Sequence, residues 1–348
     1  MSVVETPKLD PYPDKVPASD GAHSADDRSS TTPMNSTVPV NTAPVDTVPV
    51  TIGIPVYNGE KYIAETLDSV LAQTHQALEI VIADNASTDG TQAILAHYEE
   101  LDPRIRVIRN EINVGAAGNY NLVLHEATSD FFAWLSADDV LEPTFIQRNL
   151  QLLSEHPDAV GSYADARRID QFGADRGDYR DAMAGMQLSS AKPGVRFSSA
   201  VLGFPAIVLF GVYRRAAMLD TPGHGAFIGG DRVFVSEMAL KGRIMRVDEL
   251  LFHRRVHAEA YSALLNKQAR AKWFAGDEAK AGFADLNRIK QHHAALARSA
   301  PDTGTRVRGL LTLFAGFPIV LGKARAVRVL ERVLGVFGRT MDHSSYAS

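Results

Sequence analysis

Residues 131–139 read Phe131-Phe132-Ala133-Trp134-Leu135-Ser136-Ala137-Asp138-Asp139, five apolar residues followed, after Ser136-Ala137, by two adjacent carboxylates. An apolar run this short, bounded by Asp130, predicts a buried strand. Two carboxylates side by side at its end repel, and each resists ionisation while the other is charged. A divalent cation removes that penalty, and hard ions such as Mg²⁺ or Mn²⁺ favour carboxylate oxygens. In open α/β sheets, ligands gather beyond the carboxyl ends of strands, where this pair stands. The competing reading is a helix N-cap for a helix opened by Pro143.

The residues upstream decide between the two. Val48–Val56 is an apolar, β-branched run that Pro55 ends and Tyr57-Asn58-Gly59-Glu60 turns. Ile63, Leu67, Val70 and Leu71 follow at helical spacing, and then a strand over Leu78–Ala83 enters Asp84-Asn85-Ala86-Ser87-Thr88-Asp89-Gly90. Ser87 or Thr88 is the expected cap of the next helix, whose inner face carries Ile94, Leu95, Tyr98 and Leu101. A short strand over Ile105–Ile108 and a helix bearing Tyr120, Val123, Leu124 and Ala127 complete the approach to Phe131. Strands alternating with helices predict βαβ units and a mainly parallel sheet with helices on its faces. Three polar loops, 56–60, 84–90 and 136–139, then collect at one sheet edge. Asp84 there could accept hydrogen bonds from a nucleobase or ribose, or could serve only as a turn former.

Composition narrows the chemistry. The chain has 348 residues, 45% of them hydrophobic, with a formal net charge of −5 and no cysteine. The charge argues against a nucleic-acid partner, and the missing cysteines exclude thiolate catalysis, disulfides and zinc–thiolate sites. Neither a dinucleotide-type Gly-x-Gly-x-x-Gly after the first strand nor a phosphate-binding Gly-x-x-x-x-Gly-Lys-[Ser/Thr] occurs. No basic segment followed by an apolar core opens the chain, and no run reaches the roughly 18–20 apolar residues of a membrane span. The expected location is cytoplasmic, at most peripheral at the inner membrane face. Residues 1–47, rich in Pro, Ser, Thr and Asp, read as a disordered tail.

These residues resemble the family 2 glycosyltransferases. The likeness is carried by Ile54-Pro55-Val56-Tyr57-Asn58-Gly59-Glu60-Lys61-Tyr62-Ile63 with Ser69-Val70-Leu71-Ala72-Gln73-Thr74, by Ile80–Thr91, by Asn113-Val114-Gly115 and by Ala137-Asp138-Asp139. It covers about residues 50 to 260. The resemblance implies a GT-A (Rossmann-like) α/β fold and inverting transfer of a sugar from a nucleotide-diphosphate sugar donor to an acceptor hydroxyl, on a glycan or a lipid-linked acceptor. Cell-envelope glycan, glycolipid or polysaccharide assembly is the implied setting. It further implies that Pro55, Tyr57, Glu60, Asn113 and Gly115 line the donor pocket, that Asp84 reads the base, that Asp138 lies near ribose or metal, and that Asp139 holds the divalent cation. Many members are acidic where this chain has Ser136. A nucleotide-sugar-binding module without turnover is the alternative. A nucleotidyltransferase lacks its Gly-rich basic signature here, and a processive synthase lacks spanning helices and a Gln-x-x-Arg-Trp motif.

The second half supplies the remaining candidates. A helix over 143–154 and a strand over 159–164 lead to residues 170–194, rich in Gly, Asp and Arg, expected as a mobile acceptor-side loop. Ile207–Tyr213 reads as a strand. Asp231, opening a helix with Val233, Val235, Met238 and Leu240, is either a first-turn carboxylate or, by the resemblance, the general base. Strand alternation puts His253, Arg255 and His257 on one face. The resemblance places Arg255 by the diphosphate and His257 by the metal or diphosphate, against ordinary hydrogen-bonded roles. The expected division is a tail over 1–47, a GT-A domain over 48–262 and a helical extension over 263–348. The extension has one or two helices over 267–300. In residues 305–339 seven arginines and lysines oppose the single acid Glu331. Pro318 is expected to break or kink its helix, and such a segment either lies on an anionic membrane surface or packs on the catalytic domain with its charges in water.

Overall fold

A computed structural model describes residues 45–179, 186–203, 206–260, 266–275 and 284–321. The tail expected over 1–47 lies outside these residues apart from a 3-10 turn at Val45–Thr47. Strand β1 (Val50–Val56) is buried along its whole length, as its β-branched run requires of a central parallel strand. Helix α1 (Ile63–Leu71) then leads to β2 (Leu78–Asp84), α2 (Thr91–Leu101), β3 (Ile105–Arg109), α3 (Gly115–Glu126) and β4 (Phe131–Trp134). These strands pair in parallel in the order β3-β2-β1-β4. The chain moves outward from β1 to β3 and then returns to β1's other side with β4. That reversal makes β1/β4 a switch point, where the loops beyond the two strands splay and leave a crevice.

The rest of the sheet is mixed. A short β5 (Val140–Leu141) precedes α4 (Phe145–Glu155), β6 (Ala159–Ile169), β7 (Asp175–Asp178), α5 (Pro193–Gly203), β8 (Val212–Arg214), α6 (Arg215–Leu219), α7 (Gly230–Lys241) and β9 (Arg243–Arg255). Strand β8 runs antiparallel to β4 and β6, whereas β9 is parallel to β6 and antiparallel to β5. Helices α8 (Lys267–Ala275), α9 (Ala284–Ser299) and α10 (Thr303–Leu321) close the described chain, and residues 276–283 between the first two lie outside the description.

Several expectations need correcting. Ile207–Phe210 is buried but lies in a 3-10 turn, Ala206–Phe210, and only Val212–Arg214 pairs as a strand. A short apolar run carries no periodicity to tell the two apart. Residues 170–178 form the tip and return strand of a β6–β7 hairpin, closed by Arg176 on the Asp170 carboxylate at 2.6 Å, while residues 180–185 lie outside the description. Helix α10 continues past Pro318 to Leu321, and residues 322–339 lie outside the description. Helix α2 starts at Thr91, capped by Asp89 and by Glu60, which takes the Gly90 N–H at 2.6 Å; Ser87 and Thr88 instead bond Asn58.

The core is a layer of β1, β2 and β4 side chains against α1 and α3, with Trp134, Phe132 and Ile52 among its fully buried members. Gly53 in β1 matters to it, because a Cβ there would stand 2.5 Å from Phe132 Cζ and 2.9 Å from Val123 Cγ2. Both neighbours are walled in, so Gly53→Ala is expected to lower stability by about 1–3 kcal/mol, read as a reduced urea midpoint at unchanged slope.

Candidate functional site

Three loops leave the carboxyl ends of β1, β2 and β4, and hydrogen bonds between them fix their shape. Beyond β1, Asn58 adopts a left-handed conformation at φ 51°, and its backbone N–H donates to Ser87 Oγ at 2.9 Å. Gly59 N–H donates to Thr91 Oγ1, and Asn58 Oδ1 receives Thr88 N–H. Beyond β2, Ala86 is also left-handed at φ 61°, a conformation an L side chain adopts at a cost of about 1–2 kcal/mol. Ser87 N–H donating to Asp84 Oδ1 at 3.0 Å closes this turn. Two strained residues on facing loops mark the crevice as a place where backbone shape is bought with stability elsewhere.

Asp84 is fully buried, and its Oδ2 has no hydrogen-bond partner. Around it an asparagine network satisfies the remaining polar groups. Asn110 Nδ2 donates to Asn85 Oδ1 and Asn119 Oδ1, Asn85 Nδ2 donates to Asn113 Oδ1 at 2.9 Å, and Asn119 Nδ2 donates to Ala83 O at 2.7 Å. Asn113 Oδ1 also takes the N–H of Gly115, whose φ of 76° starts α3. In this dense lattice the unfilled Oδ2 of Asp84 is an exception. Pro55 pairs with Ala83 in the sheet, Tyr57 stands half exposed at the crevice mouth, and Glu60 is occupied as the cap of α2.

The carboxylate pair lies beyond β4 and caps no helix. Strand β5 follows it at once, and α4 begins only at Phe145. Asp139 is buried, and its Oδ1 accepts the backbone N–H of Arg255 at 2.8 Å. Burial first, and the neighbouring Asp138 charge second, push its carboxyl well above the usual carboxylate range. Asp138 Oδ2 pairs with His257 Nε2 at 2.9 Å, and His257 Nδ1 is buried without a partner. Arg255 ties the pair to its surroundings: Nε donates to Asp138 O, one terminal nitrogen to Asp170 O, and the other to Glu65 Oε2 at 2.6 Å, with the guanidinium 4.8 Å from the Tyr62 ring centre. Three of its N–H groups are thus engaged by protein acceptors. His253 does not join this group; its Nε2 lies 2.8 Å from Glu142 Oε1.

Asp231 enters from the far side of the chain, in the first turn of α7 behind left-handed Gly229. Its charge, with those of Asp138 and Asp139, acts on the buried Tyr120 hydroxyl, which lies 3.2 Å from Ser136 Oγ. Burial drives that phenol upward, so it stays protonated. Buried His224, whose ring centre is 5.1 Å from that of Tyr120, also feels Asp231 but is held below the usual histidine range by desolvation. Tyr120, Glu65 and His224 escape a sequence reading for different reasons. Tyr120 fits the apolar face of its helix, Glu65 looks like a solvated helix position, and His224 stands in Pro222-Gly223-His224-Gly225, a segment without periodicity.

The family model described as Glycosyl transferase family 2 matches residues 51–189, the stretch holding all three loops. Over that stretch the chain is similar to the family 2 glycosyltransferases. Among curated proteins it is 28% identical over 217 residues to an uncharacterized glycosyltransferase of Haemophilus influenzae, covering 61% of this chain and 67% of that one. It is 40% identical over 106 residues to Bacillus subtilis TuaG, named as a teichuronic acid biosynthesis glycosyltransferase, covering 30% of this chain and 42% of that one. The chain thus spans less than half of TuaG. Among solved structures, S. aureus TarS in complex with UDP superposes with a TM-score of 0.58 at 17% identity, covering 83% of this chain and 78% of that one. That likeness shows the GT-A-like fold of the family 2 domain.

Among the described residues no group of three or more His, Asp or Glu side chains forms a closed metal cage. The pair does fit a cation whose other ligands come from a substrate, since buried Asp139 has no ion-pair partner among the described residues and partly exposed Asp138 stands beside it, and Mg²⁺ is commonly bound by one or two carboxylates plus phosphate oxygens.

The raised Asp139 carboxyl has a consequence for stability. Unfolded, it titrates near 3.8; folded, it holds its proton to higher pH. The native state therefore gains stability that is complete below 3.8 and is lost as pH rises through the folded value. In metal-free buffer Asp139→Asn is expected to be more stable than the native chain, with a gap that widens as pH is raised, measured by urea unfolding across a pH series.

Proposed function

We propose that the family 2 domain transfers a sugar from a nucleoside-diphosphate sugar to an acceptor hydroxyl with inversion at the anomeric carbon. The observation that carries this reading is the unpartnered, buried Oδ2 of Asp84 in the crevice shared with Asp138 and Asp139. A buried carboxylate oxygen left without a donor costs about 1–3 kcal/mol, which a base or ribose N–H or O–H would recover. Tyr57, half exposed at the mouth, offers a ring to cover the base, with Pro55, Asn113 and Gly115 shaping the pocket wall.

Asp139 and Asp138 would hold a divalent cation between them and the donor diphosphate, with the orphan His257 nitrogen beside them. Such an ion, Mg²⁺ or Mn²⁺, would neutralise charge developing on the leaving group. The protein's own step is proton removal. As the acceptor oxygen attacks the anomeric carbon, the bond from that carbon to the diphosphate oxygen breaks and the Asp231 carboxylate takes the hydroxyl proton. Tyr120 remains a neutral donor within reach of all three carboxylates' fields and bonds Ser136, where many family members are acidic. The acceptor is a glycan or lipid-linked hydroxyl in cell-envelope assembly, a reading that the relationship to TuaG favours.

Two measurements test these assignments. A panel of nucleoside diphosphates with and without Mn²⁺ is expected to raise the melting temperature with one base. Asp139→Ala should abolish that shift, and no shift with any nucleotide would remove the donor site. Asp231→Asn is expected to keep the shift while transfer falls by about 10²–10⁴-fold; undiminished transfer would remove the general-base role.

A further inference from the structure

Helix α10 packs by one side only. At about 100° per residue, Thr305, Gly309, Thr312 and Leu313 share a face. Leu313 joins Phe197, Val201, Leu240 and Leu296 in a small apolar cluster. Thr312 Oγ1 lies 2.6 Å from Ser198 Oγ, and a Cβ on Gly309 would stand 2.4 Å from Leu296 Cδ2, so α5 and α9 cover this face closely. The opposite face carries Val307, Leu310, Leu311 and Phe314, which are 51, 45, 63 and 73% exposed. Their i, i+3, i+4, i+7 spacing makes a continuous apolar stripe. Arg306 and Arg308, both exposed, fall on its two flanks. An outer face is ordinarily the polar one, so this helix is inverted relative to a solvated surface helix.

We propose that this stripe docks on an anionic membrane surface, with α10 lying in the plane of the interface. Charge selects the occupant. The stripe is flanked by arginines, and the sequence that follows adds Lys323, Arg325, Arg328, Arg332 and Arg339 against the lone acid Glu331. A second copy of this chain would bring the same positive charge to the contact and be repelled. An anionic lipid surface attracts it at about 1 kcal/mol per basic residue near the surface while the leucines and phenylalanine enter the acyl boundary. Among the described residues no helix is long and apolar enough to cross a bilayer, so the contact is one of lying on the surface. The dock holds the enzyme at a membrane without using any residue of the crevice, so it stands or falls independently of the transfer reaction.

The test is co-sedimentation of the full chain with vesicles of phosphatidylglycerol and phosphatidylcholine, and with phosphatidylcholine alone. The native chain is expected to bind the anionic vesicles, to lose most binding in high salt, and to bind neutral vesicles far less. Leu311→Glu combined with Phe314→Glu is expected to weaken anionic-vesicle binding by about tenfold or more, with an unchanged melting temperature and an unchanged nucleoside-diphosphate shift. The salt series on the native chain needs no variant and guards against misfolding. Salt-independent binding, absence of binding, or equal binding by the double variant overturns the proposal. So does a native dimer, seen by sedimentation velocity, that the double variant dissociates.

Discussion

The constraint on which the rest depends is a carboxyl group kept out of water at the end of β4. Asp139 is buried beside Asp138, and nothing in its shell carries a full positive charge directly onto its oxygens; it receives one backbone N–H. Arg255 could have neutralised it by a direct ion pair. Instead the buried guanidinium pairs with Glu65 and holds the Asp138 and Asp170 carbonyls, so that it fixes the loop's position and its charge is offset by Glu65. A structural carboxylate would be paired, since an unpaired one costs stability. Unpaired, its charge is offset by a proton, which burial favours, or by a cation from outside the protein.

The C-terminal helices bear on the same site by another route. Buried Glu237 in the middle of α7 receives Arg298 of α9 through two nitrogens and Ser299 Oγ as well, and Ser236 lies 2.9 Å from His292. Gly229, which starts α7, allows the Arg288 side chain to pass where a Cβ would meet it at 2.7 Å. Phe274 of α8 stacks on His224 at 5.4 Å. The placement of Asp231 at the tip of α7 therefore rests on contacts with α8 and α9 as much as on the sheet. A buried carboxylate with three donors is costly to disturb, which makes α7 a rigid support.

Legibility in the sequence follows the range of the interactions. The β1–β4 half is written in local pattern: apolar runs with polar loops at regular intervals, each loop placed at the same edge because the strands run parallel. Asp138 and Asp139 stand out in the sequence because adjacent carboxylates after an apolar run have few uses, whereas Asp84 alone reads equally well as a turn former. The second half is governed by pairings between distant segments. Ile207–Phe210 coils into a 3-10 turn because Tyr213 turns its hydroxyl back onto Val208 O, a contact no spacing announces. The 170–178 hairpin depends on Asp170 and Arg176 meeting across a tip in a polar stretch that looks structureless. His224 gains meaning only from the rings that surround it.

Strain gives the same division a physical form. Asn58 and Ala86 hold left-handed backbones on two loops that face each other, and each is anchored by side chains of the other loop or its neighbours: Ser87 and Thr88 on Asn58, Asp84 and the Asn85–Asn113 pair around Ala86. Neither loop could keep its shape alone, because its hydrogen bonds are completed by its counterpart. The crevice is consequently assembled before any ligand arrives. Binding then needs little reordering of backbone, and the free energy of contact with a ligand goes to orienting that ligand instead of to ordering the protein.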